Sequence, residues 1–89
     1  MLELRAIARG KVQGVYFRRT VKEIAGSFNL TGYAKNLTDG SVEIKAQGSL
    51  EILKEFIQKV QLEPGKAKID SIDISYSEVQ SRLHEFETL

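Results

Sequence analysis

The residues of this chain best suited to chemistry lie near its start, in the segment GKVQGVYFR from Gly10 to Arg18. The segment follows a strand-like run and precedes a helix-like run. A glycine-containing loop that leads into a helix offers unpaired N–H groups and the positive end of the helix dipole to an anion. Arg18 adds a planar fork of donors that suits phosphate or carboxylate oxygens. The segment therefore predicts a phosphate cradle, and an ordinary strand-to-helix connection with a surface arginine is the alternative.

The composition limits the other kinds of chemistry. The 89 residues predict one domain, residues 1–89, and the 42% of hydrophobic residues supports a real core. The chain has no cysteine and a single histidine, His84, which argues against a thiol nucleophile, a thiolate metal site and a histidine-dependent triad. We see no signal peptide and no membrane span, so we expect a cytoplasmic protein. A net charge of +1 gives no broad basic field for nucleic acid.

The first third of the chain predicts a strand and a helix on either side of the cradle. Apolar and polar residues alternate from Leu2 to Arg9, which indicates a strand with one buried face. From Phe17 to Phe28, apolar residues recur instead at helical spacing. Gly26 lies inside this helix, and we interpret it as a point of close packing against a strand. Asn29 fits the left-handed position that often follows a helix.

The middle of the chain predicts a hairpin and a second helix. Strands over Gly32–Leu37 and Ser41–Gln47 flank Asp39-Gly40, and Asp-Gly is a strong hairpin signal. Ser49 is a plausible N-cap for a helix whose apolar stripe runs from Leu50 to Val60.

The end of the chain predicts one more strand and a short final one. Ile69–Tyr76 reads as a strand with a bulge or bend near Asp70-Ser71, and Leu83–Leu89 as a short strand. The order β-α-β-β-α-β predicts an α+β, ferredoxin-like sandwich with two helices on one face of a four- to five-stranded, mainly antiparallel sheet. This fold hosts enzymes, RNA binders, metal carriers and regulatory domains, so it does not decide the function.

Two segments resemble the signatures of acylphosphatases, small enzymes that cleave the carboxyl–phosphate anhydride of acyl phosphates. The first signature is a glycine, any residue, Val-Gln-Gly-Val, any residue, an aromatic residue and an arginine, and GKVQGVYFR matches it. The second is a glycine, an aromatic residue, a small apolar residue, a basic or similar residue and an asparagine. A glycine follows four positions after the asparagine, a valine two positions later and a glycine six positions after that. GYAKNLTDGSVEIKAQG, from Gly32 to Gly48, matches it. Both signatures are complete, and the resemblance covers the whole domain.

The resemblance implies a role for each residue of the site. Arg18 would bind the phosphate, and Asn36 would orient the attacking water. The phosphoryl oxygens would be held by main-chain amides of the loop, those of Gln13, Gly14, Val15, Tyr16, Phe17 and Arg18. The resemblance also implies no metal, no other cofactor and no covalent phosphoenzyme. The expected partner is a small-molecule acyl phosphate, with no nucleic acid and no membrane, and the expected state is a monomer.

The residues fit this chemistry. A carboxylate leaving group has a pKa of about 4 to 5, so it departs as an anion without a general acid. Phosphoryl transfer mainly needs positioning and stabilisation of charge on the equatorial oxygens. Asn36 is neutral and cannot act as a base, but its amide can hold a water in line. We expect the proton of that water to pass to a phosphate oxygen of the substrate.

Other interpretations stay open. The main alternative is a non-enzymatic ferredoxin-like module that senses anions or binds RNA, although Ser41–Gln47 has no aromatic residues on which bases could stack. A domain cut from a larger protein is another. We expect Arg19, which lies about 100° around the helix from Arg18, to be solvated, and Lys35 to face solvent. Tyr16 fills a position that is often small in relatives, so it must point away from the phosphate or line the mouth of the site. A positive φ there would strain it.

Overall fold

The computed structural model describes residues 1–89, which form five strands and two helices. In chain order these are β1 (Leu2–Lys11), α1 (Phe17–Ser27), β2 (Thr31–Asn36), β3 (Val42–Gly48), α2 (Leu50–Leu62), β4 (Lys68–Glu78) and β5 (Phe86–Thr88). The strands form one sheet in the order β4-β1-β3-β2-β5. Neighbouring strands are antiparallel except β2 and β5, which run parallel. The predicted ferredoxin-like architecture is confirmed.

One hydrophobic core lies between the sheet and the two helices. On β1 the alternating residues Leu4, Ala6 and Ala8 have no exposed surface, as their period of two predicts. The largest side chains of the core are Phe17, from the start of α1, and Phe56, from the middle of α2. Burying an apolar side chain of this size contributes about 1.5–3 kcal/mol. Because Phe17 is the first residue of α1, its burial holds the start of the helix against the core. Neither helix has the length and apolar composition needed to cross a membrane.

The other face of the sheet carries a network of charged side chains. Arg5 Nε donates to Glu43 Oε2 at 2.6 Å, and the Tyr33 hydroxyl donates to Glu43 Oε1 at 3.0 Å. Lys45 Nζ lies 3.2 Å from a carboxylate oxygen of Glu3. Burial alone would raise the pKa of Glu43, but the hydrogen bonds from Arg5 and Tyr33 outweigh it and hold that pKa below its usual value. The network keeps this face polar, and of its residues Glu43 is the buried one.

The predicted bulge in the fourth strand is confirmed. Arg9 pairs with Ser71, but Gly10 pairs with Ile69, so Asp70 is the extra residue on β4. The bulge restores the parity of the apolar residues on either side of it. It lies next to the end of β1, where the chain leaves the sheet for the predicted cradle.

The final strand is shorter than the predicted Leu83–Leu89 and consists of Phe86–Thr88. It runs parallel to β2, with Phe86 opposite Gly32. The ring of Phe86 packs edge-on against Phe56 at 6.4 Å between centroids, and this contact ties the strand to the core. The end of the chain therefore lies beside the end of β2.

The helix ends are mostly as predicted. Ser49 Oγ accepts a hydrogen bond from the Ile52 amide at 3.3 Å, so Ser49 is the N-cap of α2. Asn29 has φ 56°, in the left-handed region. The interpretation of Gly26 is wrong, because a Cβ at that position would meet no atom within 4 Å. No strand packs closely enough there to require a glycine.

Candidate active site

The loop between β1 and α1 presents a row of free main-chain donors. None of the N–H groups of residues 13–19 donates to an acceptor in the protein, and the first such bond of the helix runs from Thr20 N to Tyr16 O at 3.1 Å. Helix α1 has no side-chain cap and no acidic residue in its first turn. Gly14 turns the loop with φ 74°, which suits glycine because it lacks a Cβ. Unpaired amides and the positive end of a helix dipole are suited to binding an anion.

Arg18 lies in the first turn of α1, beside this loop. Its Nη1 donates to the main-chain oxygen of Leu89 at 2.7 Å. The same Leu89 oxygen accepts from the main-chain N–H of Asn36 at 3.1 Å. One acceptor therefore fixes the guanidinium relative to the end of β2, although Arg18 and Asn36 belong to different elements.

Asn36 is the last residue of β2, and its side chain makes no hydrogen bond within the protein. Its Oδ1 is buried and has no partner. Leaving a buried acceptor unsatisfied costs about 1–3 kcal/mol, so Asn36 Oδ1 is an acceptor that can take a donor from outside the protein.

The turn after Asn36 is held by two other side chains. Gln13 Nε2 donates to Leu37 O at 2.8 Å and to Ser41 O at 2.9 Å, which joins the loop before α1 to the β2–β3 turn. Asp39 accepts from the Ser41 hydroxyl and, at 2.9 Å, from the Ser41 amide. These hydrogen bonds lower the pKa of Asp39 below its usual value. The turn that follows Asn36 is therefore held both by the loop before α1 and by a hydrogen bond within the turn itself.

The loop, α1 and β2 enclose a cleft of about 350 Å³. Arg18 and Asn36 line it together with Gly14, Tyr16 and Phe17 of the predicted cradle. Gln13 and Val15 do not line it: Gln13 turns to the hairpin, and Val15 packs against the core. The remaining lining residues are Val12, Arg19 and Thr88. No three His, Cys, Asp or Glu side chains lie together in a way that could hold a metal ion.

The family model for acylphosphatases matches residues 4–88, which is nearly the entire chain.

The chain belongs to the acylphosphatase family.

Individual acylphosphatases match just as fully. The acylphosphatase of Dehalococcoides mccartyi strain CBDB1 is 39% identical over 84 residues, which cover 93% of this chain and 92% of the relative. That of Deinococcus radiodurans is 38% identical over 85 residues, covering 96% and 97%. The crystal structure of acylphosphatase from Bacillus subtilis superposes with a TM-score of 0.94 at 36% identity, covering 100% of this chain and 99% of that one.

The fold gives a physical reason for the first glycine of the second acylphosphatase signature. A Cβ on Gly32 would lie 1.8 Å from the carbonyl oxygen of Lys45 on the neighbouring strand β3. Any larger residue would push β2 away from β3 and move Asn36 with it. Lys35, next to Asn36, is exposed as expected.

Sequence reasoning missed several residues in and around the cleft. Thr88, at the end of β5, lines it, and Leu89 holds the Arg18 side chain; the sequence predicts a strand over Leu83–Leu89 but does not place it beside Arg18. The side chain of Gln13 was assigned no role, although a glutamine inside a conformationally special loop is a reasonable donor to neighbouring carbonyls. Arg19 is solvated, with 77% of its side chain exposed and an ion pair to Glu23 at 3.3 Å, yet it also lines the cleft.

Proposed function

We propose that this protein hydrolyses the carboxyl–phosphate anhydride of acyl phosphates to a carboxylate and inorganic phosphate, and that the reaction takes place in the cleft between α1 and β2. One observation carries the proposal most directly. The cleft joins a row of unpaired amides and the Arg18 guanidinium to Asn36, whose buried Oδ1 has no partner. The cleft thus combines an anion site with an acceptor suited to water.

The phosphoryl group would bind to the free amides of the loop and to Arg18. Arg18 uses one of its five N–H donors on Leu89, which leaves the other donors for phosphate oxygens. These donors also stabilise the charge that develops on the equatorial oxygens in the transition state, and they are already fixed before the substrate arrives. Gln13 would contribute its amide and, through its side chain, the position of the turn that follows Asn36.

The attacking water would donate a hydrogen bond to Asn36 Oδ1, which directs its lone pair at phosphorus. The water oxygen forms the new bond to phosphorus while the bond from phosphorus to the acyl oxygen breaks. The carboxylate leaves with the electron pair and needs no proton, because its pKa is about 4 to 5. The proton of the water passes to an oxygen of the phosphoryl group, so the products are a carboxylate and inorganic phosphate.

We also infer a monomer that acts in the cytoplasm on small molecules and not on nucleic acid. The net charge of +1 supports the last point, since nucleic-acid binding relies on a strongly positive surface. The face of the sheet away from the helices carries ion pairs, and charged side chains are more stable in water than buried against a partner subunit. This supports a monomer. A chain without cysteine needs no oxidising compartment.

Steady-state hydrolysis of benzoyl phosphate without added metal tests the proposal. The unsubstituted protein should be active. Arg18→Gln should lower turnover by about a hundred- to a thousandfold and abolish inhibition by inorganic phosphate, because it removes a phosphate donor. Asn36→Ala should lower turnover by a similar factor but leave phosphate inhibition largely intact, because it removes the contact to water and none to phosphate.

Arg82→Gln is the matched control. Arg82 is exposed and lies near Met1, at the opposite end of β1 from the loop, so this variant should keep full activity. Robust hydrolysis by Arg18→Gln or Asn36→Ala would overturn the assignment of roles. Phosphate binding by the unsubstituted protein without any turnover would indicate an anion-sensing module instead of an enzyme.

A further inference from the structure

Tyr16 has a main chain that is strained and firmly held. Its φ of 61° and ψ of 22° lie in the left-handed region, which costs a residue with a Cβ about 1–2 kcal/mol. Its carbonyl oxygen accepts from Thr20 N at 3.1 Å and from Thr20 Oγ1 at 3.2 Å. Glycine would adopt this conformation freely, so the backbone alone does not explain a tyrosine here.

The side chain of Tyr16 has no partner in the protein. It is 70% exposed, whereas its neighbour Phe17 is 1% exposed and Val15 packs against the core. The Tyr16 hydroxyl makes no hydrogen bond, and its ring takes part in no aromatic or cation–π contact. The ring therefore adds little to the packing of the folded protein. A single exposed aromatic side chain is not unusual in itself, so its place beside the cleft is what matters.

The ring stands between the cleft and a second depression on the surface. Tyr16 and Arg19 line both the cleft that holds Arg18 and Asn36 and a neighbouring one of about 330 Å³, whose wall includes Gly65. A substrate whose phosphoryl group lies on the loop amides must extend its acyl group out of the cleft. Tyr16 is the exposed aromatic side chain at that mouth.

We propose that the Tyr16 ring forms the binding subsite for the acyl group and makes the enzyme prefer acyl phosphates with a flat, aromatic acyl group. This inference rests on the proposed function. Offset stacking of two aromatic rings adds affinity beyond the area it buries, whereas an acetyl group covers little of the ring. The fixed backbone sets where the Tyr16 side chain leaves the loop, so only its side-chain torsions lose freedom on binding.

The test compares kcat/KM for benzoyl phosphate with kcat/KM for acetyl phosphate. The two leaving groups are both carboxylates, so the ratio of the two values reports mainly on contacts to the acyl group. In Tyr16→Ala the ratio should fall about threefold to tenfold, through KM for benzoyl phosphate. Tyr16→Phe keeps the ring and should keep the ratio. Tyr76→Ala removes an exposed tyrosine on β4 and should not change the ratio.

The inhibition constant for inorganic phosphate reports on the loop amides and not on the acyl group. It should therefore be unchanged in Tyr16→Ala. An unchanged ratio in Tyr16→Ala, or an equal loss for both substrates, would overturn the subsite while leaving acyl phosphate hydrolysis in place. Failure of the unsubstituted protein to hydrolyse either substrate would instead overturn the proposed function, and the subsite with it.

Discussion

The two helices of this protein begin in opposite ways. Helix α2 starts at a serine whose hydroxyl accepts the Ile52 amide, and Glu51 lies in its first turn. Helix α1 starts at Tyr16 without a side-chain cap, and the position equivalent to Glu51, the second of the helix, holds Arg18. The N-terminus of α2 has a capping side chain and an acidic residue, whereas that of α1 has neither and carries a cation in its first turn.

The difference shows which local contacts separate a helix N-terminus that is stabilised from one that is free to bind an anion. A capping hydroxyl and an acidic first turn each stabilise a helix, by about 1 kcal/mol and about 0.3–1 kcal/mol respectively. Helix α1 lacks both, so its N-terminus is stabilised less by local contacts. The same absence leaves the amides and the positive end of the dipole available to an anion. Buried Phe17 and the Thr20 hydrogen bonds to Tyr16 hold the helix start in place instead.

Exchanging the charges at the equivalent positions should give the largest effect. Arg18→Glu gives α1 the charge of α2, and the carboxylate would repel the phosphoryl group as well as remove its donors. We expect kcat/KM for benzoyl phosphate to fall by about a thousandfold or more, with loss of phosphate inhibition. The reverse change, Glu51→Arg, should leave kinetics intact and lower the free energy of unfolding by about 0.3–1 kcal/mol.

These two variants are compared by steady-state kinetics and by urea unfolding. If inorganic phosphate still inhibited Arg18→Glu, the positive charge of Arg18 would not be what makes the N-terminus of α1 bind an anion. A loss of activity in Glu51→Arg would show that the start of α2 affects the cleft, although no residue of α2 lines it.

Removing the cap of α2 should have a smaller effect, on stability alone. Ser49→Ala leaves the Ile52 amide without its acceptor, so we expect the free energy of unfolding to fall by about 1 kcal/mol. Urea denaturation measures the change, and benzoyl phosphate kinetics serve as the control. An unchanged midpoint would mean that solvent replaces the hydroxyl fully, and the contrast between the two helix ends would then be weaker than the structure indicates.

Much of this comparison could be predicted from the sequence. Ser49 before a helical stripe and Gly10–Arg18 before another are local patterns, and local patterns specify caps and loops. The Asp39-Gly40 hairpin and the bulge at Asp70 are also encoded within a few residues. The pairing of Arg18 with Asn36, by contrast, was predicted only through the resemblance to acylphosphatases, since no local rule joins two residues on different elements.

What the sequence did not reveal depends on contacts between distant parts of the chain. Leu89 meets Arg18 because β5 pairs with β2; the sequence predicts a short strand at this end of the chain, but no local pattern indicates which strand it pairs with. The side-chain bonds of Gln13 depend on how the hairpin folds back towards the loop. Gly26 was misread because an open surface and a close contact look alike in a sequence.

The most direct test of the open helix end is a titration of the isotope-labelled protein with inorganic phosphate, followed by amide chemical shifts. The amides of residues 13–18, at the start of α1, should shift with a single saturable binding curve, while those of residues 50–53, at the start of α2, should stay in place. Arg18→Gln should abolish the shifts. Shifts of equal size at both helix starts, or none at residues 13–18, would contradict the account.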